Sequence, residues 1–191
     1  MAYTGLVVDE GDEHIEFLAT AADTDGELVR CRVTVAPKRP GPPEHSHPRQ
    51  EETFRVERGR LGYLLGTTRR EAGQGEVAVV PAGTNHSFWN AGAEPLVVVT
   101  DVRPALRIED FIETISVLIR DGKLKAGGAG SNPLLMAVVA DAYRQEWRFT
   151  NLSPVARALL PALAFIGRRA GLRGHYPADG KAGSRAAAPT V

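Results

Sequence analysis

His45-Ser46-His47-Pro48-Arg49-Gln50-Glu51-Glu52, with Gly59 beyond it, and Gly75 through Pro81, Gly83, His86 and Asn90 are the two stretches whose reading decides the fold of this chain. Three of its five histidines fall within them. Imidazole nitrogens joined by one carboxylate are the donors that borderline divalent metals prefer, so four such groups brought together could hold Fe, Mn, Ni, Co, Cu or Zn. His45 and His47 stand two apart and share one side of an extended strand, and Pro48-Arg49-Gln50 permits a bend that resets the phase before Glu52. Glu52, Phe54 and Val56 then share a face, as do His86 and Phe88. The four candidate ligands therefore join the apolar face, where a carboxylate is costly unless it is paired or bound to a cation.

The spacing resembles that of the cupin superfamily, whose two consensus segments run G-x5-H-x-H-x3,4-E-x6-G and G-x5-P-x-G-x2-H-x3-N. Gly75 to Asn90 matches the second without a gap, and His45 to Gly59 matches the first except at its start, where Gly41 stands closer to His45 than the pattern has it. The resemblance covers residues 41 to 90. It implies a mainly β chain built on a cupin-type antiparallel β-barrel, the double-stranded β-helix or jelly roll, with one divalent transition metal ion per chain. Its ligands would be His45, His47, Glu52 and His86; Glu51 stays as an alternative to Glu52 because the pattern tolerates either spacing. Asn90 and Gly83 are expected to serve the backbone, the first by hydrogen bonds and the second by its turn conformation. Phe54, Tyr63 and Phe88 are the candidate lining of a ligand cavity, and His14 and His175 stand outside the pattern.

Outward from the motifs, residues 14 to 102 are short, β-branched and punctuated, which argues for strands. Val29, Cys31, Val33 and Val35 alternate with Arg30, Arg32 and Thr34, as in a strand with one buried and one solvated face. Leu61, Tyr63 and Leu65 repeat that period after the Arg58-Gly59 turn, and Leu96 to Val99 is an apolar run suited to a central strand. After Pro104 the period changes. Ile108, Phe111, Ile112, Ile115, Leu118 and Ile119 follow helical spacing up to Gly122. Asn132-Pro133 reads as an N-cap with proline at the first helical position, opening a second helix through about Trp147, and Ser153-Pro154 repeats the signature for a third, which Pro161 should kink or divide. The expected organisation is a barrel over residues 1–104, an α-helical extension over 105–175 that packs on the barrel or on a dimer partner, and a disordered tail over 176–191.

Composition narrows the function. Lys+Arg and Asp+Glu balance at 23 each, so no electrostatic term favours nucleic acid or an anionic membrane, and no apolar run reaches the ~18 residues of a spanning helix. One cysteine, Cys31, and an N-terminus without signal-peptide character fit a cytoplasmic protein, and the arginine, alanine and glycine bias fits a bacterial one. Helices apolar on more than one face suggest a homodimer. The expected partner is a small molecule. Two chemistries follow from the resemblance: a dioxygenase acting on an enolisable or aromatic substrate, as in quercetin dioxygenase-like cupins, or a Lewis-acid cyclase or isomerase of polyketide-like substrates. In both, Glu52 doubles as the catalytic general base. The competing expectation is a non-catalytic small-molecule-binding module.

Overall fold

The computed structural model describes residues 2–10, 13–125, 131–150 and 152–178. Two antiparallel sheets face each other. The first has the order β1 (Val7–Glu10), β2 (Glu13–Ala19), β3 (Val29–Val35), β10 (Leu96–Arg103), β5 (Glu51–Arg58), β8 (Val77–Val80). The second has the order β11 (Arg148–Phe149), β4 (His45–Ser46), β9 (His86–Asn90), β6 (Arg60–Leu65), β7 (Thr68–Gly73). This is the jelly-roll barrel with a helical C-terminal part.

Alternation places the core between the sheets. Val29, Cys31, Val33 and Val35 of β3 are all buried, and Leu96 and Val98 of β10 are fully so, since β10 is flanked by β3 and β5. Leu61 of β6 and Phe54 and Val56 of β5 meet them from the other strands. In β8 the inward residues are Ala78 and Val80, and Val77 and Val79 face out at the sheet edge. Gly41 has a steric reason to be glycine: it donates its N–H to the Phe88 carbonyl, and a Cβ there would stand 2.6 Å from that oxygen. Asn90 serves the backbone, donating from Nδ2 to the carbonyls of Val35, Ala36 and Glu94 and accepting from the Gly92 N–H at Oδ1. Gly83 takes a φ of 76°, which a side chain would strain.

Three helices follow: α1 (Ile108–Arg120), α2 (Pro133–Ala142) and α3 (Pro154–Arg169). Asn132 caps α2 by accepting from the N–H groups of Leu134 and Leu135, and Ser153 caps α3 through the Ala156 N–H. The helix α2 lies between layers. Leu135 and Val139 belong to the main core, and Ala137 and Val138 pack with Ala164 of α3. Gly167 permits that approach, because a Cβ would meet Val138 at 2.6 Å.

Three sequence expectations need correction. The second helix stops at Ala142 rather than near Trp147, because Tyr143 is pulled into the core, where its hydroxyl donates to the Asp110 carbonyl and bonds Thr114. The chain beyond then turns extended as β11 and pairs with β4. Pro161 does not divide α3: it removes one backbone donor, and the helix runs unbroken across it. Tyr176, expected in a disordered tail, packs against the core and donates its N–H to Thr114 Oγ1; residues 179–191 lie outside the described residues.

Candidate metal centre

Three strands and one turn bring the motif side chains together. His45 on β4 pairs directly with His86 on β9, His47 follows in the turn, and Glu52 enters from β5 of the facing sheet. All four are buried, and one donor atom from each lies within 4.8 Å of the others. Glu51, by contrast, is exposed, so the phase of β5 makes Glu52 the inward carboxylate.

The hydrogen bonds of the imidazoles leave one nitrogen of each for the centre. Nδ1 of His45 donates to the Pro43 carbonyl at 2.8 Å, Nδ1 of His86 to the Thr84 carbonyl at 3.0 Å, and Nδ1 of His47 to the Glu146 carbonyl at 2.5 Å. A carbonyl can only accept, so the proton sits on Nδ1 and a neutral ring presents an Nε2 lone pair. Yet Nε2 of His86 stands 2.9 Å from Glu52 Oε2, and Nε2 of His47 stands 3.4 Å from the same oxygen. Lone pairs at such distances require a positive charge between them, either a proton on the ring or a metal ion. The donor set therefore fits a divalent ion with nitrogen and oxygen preference.

The protonation preferences follow from the same geometry. Burial opposes ionisation of Glu52, and hydrogen bonds with His47 and His86 outweigh it, holding the carboxyl well below the usual range. Burial likewise disfavours charge on His86, but the Glu52 contact outweighs it and raises its pKa. His45 is pushed the other way, by burial first and then by the two neighbouring rings. Burial, then Glu52, push the Cys31 thiol up, so it stays protonated and stands outside the ligand cluster.

Beside the cluster lies a cavity of about 380 Å³. His45, His47 and Glu52 form part of its wall, and most of the rest is aliphatic: Val29, Val33 and Val102 from the barrel, and Ile108, Ile112, Ile115 and Ile119 from one face of α1. Glu13, Arg39 and Lys125 add charge to the lining. Of the three aromatic candidates, Phe88 lines the cavity and Phe54 and Tyr63 do not. Phe54 is 1% exposed and packs on Phe88 at 5.2 Å between ring centroids, and Tyr63 packs against the core from β6. The phase of a strand says which side chains point inward, but not which of them reach open space.

Sequence reasoning missed the segment that closes the site. Trp147 stacks on His45 with ring centroids 3.5 Å apart and planes 10° from parallel, and meets His47 edge-on at 5.5 Å. Phe111 of α1 stacks on the same indole at 4.8 Å. The β11 strand places it there by pairing Phe149 with His45 and Arg148 with Ser46, and Thr150 Oγ1 anchors the far end on the Glu44 carbonyl. The only signal in the chain was Trp147 itself, an aromatic beyond the last turn of α2.

A second cluster, Asp110, Glu113 and His175, also has donor atoms within 4.8 Å of one another. His175 Nδ1 there contacts the Tyr143 and Thr114 hydroxyls, and the group ties α1 to the end of the chain.

Known proteins are similar to part of this chain. The family described as Cupin domain matches residues 31–102. A protein named Probable oxidoreductase virH from Hypocrea virens is 45% identical over 51 residues, which is 26% of this chain and 23% of that protein's length. KdgF from Halomonas sp. aligns with 53% of this chain and 89% of its own at 18% identity, with a TM-score of 0.46. A conserved double-stranded β-helix protein from Klebsiella pneumoniae aligns with 51% and 82% at 22% identity, also with a TM-score of 0.46. Taken with the histidine and glycine spacing and the two-sheet barrel that it builds, the family match identifies residues 31–102, a little over a third of the chain, as a cupin domain.

Proposed function

We propose that this chain is a metal-dependent small-molecule enzyme whose substrate is largely apolar and carries adjacent oxygens on an enolisable or aromatic framework. One observation carries the reading: four donors within 4.8 Å of one another stand in the wall of a mainly aliphatic cavity of about 380 Å³. His45, His47 and His86 would hold one divalent transition metal ion through Nε2, and Glu52 through a carboxylate oxygen. When bound, such an ion supplies Lewis acidity toward substrate oxygens and, if it is Fe, Mn, Ni, Co or Cu, electron exchange with dioxygen.

The chain's own residues do the rest. Ile108, Ile112, Ile115 and Ile119 receive the apolar body of the substrate and exclude water, while Phe88 and Trp147 limit its approach from the barrel side and from the C-terminal segment. Glu52, held ionised by its histidine contacts, accepts a proton at its carboxylate from the substrate carbon beside the carbonyl. We favour dioxygenation, with dioxygen as the second substrate and both its atoms ending in the product; the name of the Hypocrea virens relative supports oxidoreductase chemistry. Proton transfer to the same Glu52 supports a second reading, cyclisation or isomerisation of a polyketide-like substrate with zinc. A binding module without catalysis is the remaining alternative.

Elemental mass spectrometry on protein purified without a metal-affinity tag tests this, with wild type compared against the His45→Ala/His47→Ala double variant. Near-stoichiometric Fe, Mn, Ni, Co or Cu in wild type alone is the expected result, and enolisable substrates should then draw down dissolved oxygen. Stoichiometric zinc would move the conclusion to cyclisation or isomerisation. A wild type that neither contains nor takes up metal would remove the enzymatic reading.

A further inference from the structure

We infer that Trp147, with the backbone carbonyl of Glu146, is a positioning element for the histidine ligands, so that the C-terminal extension completes the metal centre and the barrel alone does not. The inference rests on the ligand assignment proposed above. Two of the three imidazoles are oriented from this segment. His47 donates Nδ1–H to the Glu146 carbonyl at 2.5 Å, which fixes its tautomer and aims Nε2 at Glu52. His45 takes its own hydrogen bond from a neighbouring turn, but the Nδ1 bond alone leaves its ring free to tilt about that contact. The indole of Trp147, 10° from parallel at 3.5 Å, sets the plane.

The buried state of the indole nitrogen points the same way. Trp147 Nε1 is buried and has no hydrogen-bond partner among the described residues. A buried Trp N–H ordinarily finds a partner, and leaving one unpaired costs free energy. What the ring obtains at this position is stacking, with His45 on one side of the contact and Phe111 of α1 also against it. That chain of rings runs from a ligand to the helix that lines the cavity, and so connects the ligand geometry to the position of α1. The strand β11 holds the assembly in register, and Arg49 Nη1 to Gln145 Oε1 adds a second tie between the motif turn and the extension.

A purely structural Trp147, plugging the barrel mouth, would leave ligand geometry alone, and Co²⁺ separates the two roles because its visible bands report coordination. Titrations of wild type, Trp147→Ala and Trp147→Phe by calorimetry and visible spectroscopy should show Co²⁺ affinity reduced by roughly 10–100-fold in Trp147→Ala, as for other groups that orient metal ligands. Its bands should shift, and Trp147→Phe, which keeps a stacking ring, should recover most of both. A folded Trp147→Ala protein with wild-type affinity and spectrum would overturn the inference. Should Trp147→Ala not fold, Trp89→Phe leaves Trp147 as the single tryptophan. Its emission should then be quenched to an endpoint of one Co²⁺ per chain, and unchanged emission across a titration that calorimetry shows to be binding would equally overturn it. Wild type that binds no Co²⁺ would instead fail the ligand assignment itself.

Discussion

Residues 45–90 and residues 143–150 meet at the same imidazoles, yet they are specified in different ways. In the first region each role follows from strand geometry: strand phase separates Glu52 from Glu51, and β4–β9 pairing sets His45 against His86. In the second region the anchoring side-chain contacts reach far along the sequence. Tyr143 leaves the helix for hydroxyl partners on α1, and Trp147 finds its partners on β4 and α1. Donor atoms are thus fixed by strand phase and pairing, which leave a spacing pattern, whereas Tyr143 and Trp147 are fixed by tertiary contact, which leaves none.

The sharpest way to break that contrast is to remove a donor. His86→Ala should lower metal affinity by at least about 100-fold, since it deletes a ligand and strands the Glu52 carboxylate in a buried site. Circular dichroism should still show the barrel. Metal retained at wild-type stoichiometry would mean that the four side chains are not one site.

Gly62→Ala acts on the barrel without touching a ligand. A Cβ at this position would fall within the Trp89 indole, so the ring must move, and overpacking of that kind costs about 1–3 kcal/mol. The denaturant midpoint should fall accordingly while the folded protein binds Co²⁺ as wild type does. An unchanged midpoint would show that Trp89 yields freely.

Tyr143→Phe tests the other region. It removes the hydroxyl that bonds Thr114 and the Asp110 carbonyl, a loss of about 1 kcal/mol. Because Tyr143 begins the segment that carries Trp147, a small weakening of Co²⁺ binding should accompany the loss. Stability lost with affinity untouched would show that β11 registers independently of this anchor.

The smallest effect concerns pH. Hydrogen bonds from Arg30 hold the Asp101 carboxyl below its usual range against a burial term that raises it. A depressed native pKa gives stability that is present above the unfolded-state value of about 3.9 and is lost as pH falls through the native one. Asp101→Asn should therefore flatten the acid limb of the stability curve below about pH 4 and change it little near pH 7 beyond a constant offset. An acid limb identical to wild type would assign the pH dependence to other carboxylates.

The barrel and the meeting of its four candidate ligands were legible because His45, Glu52 and His86 fall on strands, where alternation gives side-chain direction directly. What was not legible has physical reasons. Tyr143 and Trp147 stand four apart and so continue the apolar period of α2, but that spacing cannot distinguish one more helical turn from two anchors with separate distant partners. Phe54, by its phase with the ligands, and Tyr63 were candidate lining for the cavity. Whether an inward ring meets space or other side chains depends on the facing sheet and on α1, neither of which a single strand encodes. The apolar period of α1 was legible, but not that Ile112, Ile115 and Ile119 would be only partly buried and line the cavity.

The position of Trp147 also orders events during synthesis. A chain emerges from the ribosome with its N-terminal part first, and such a part can fold before the remainder is made. His45, His47, Glu52 and His86 are all translated before α1, and the ring that covers His45 comes after α2. The later arrival of β11 sets Trp147 against His45, so this cover is made after the four side chains that it shields.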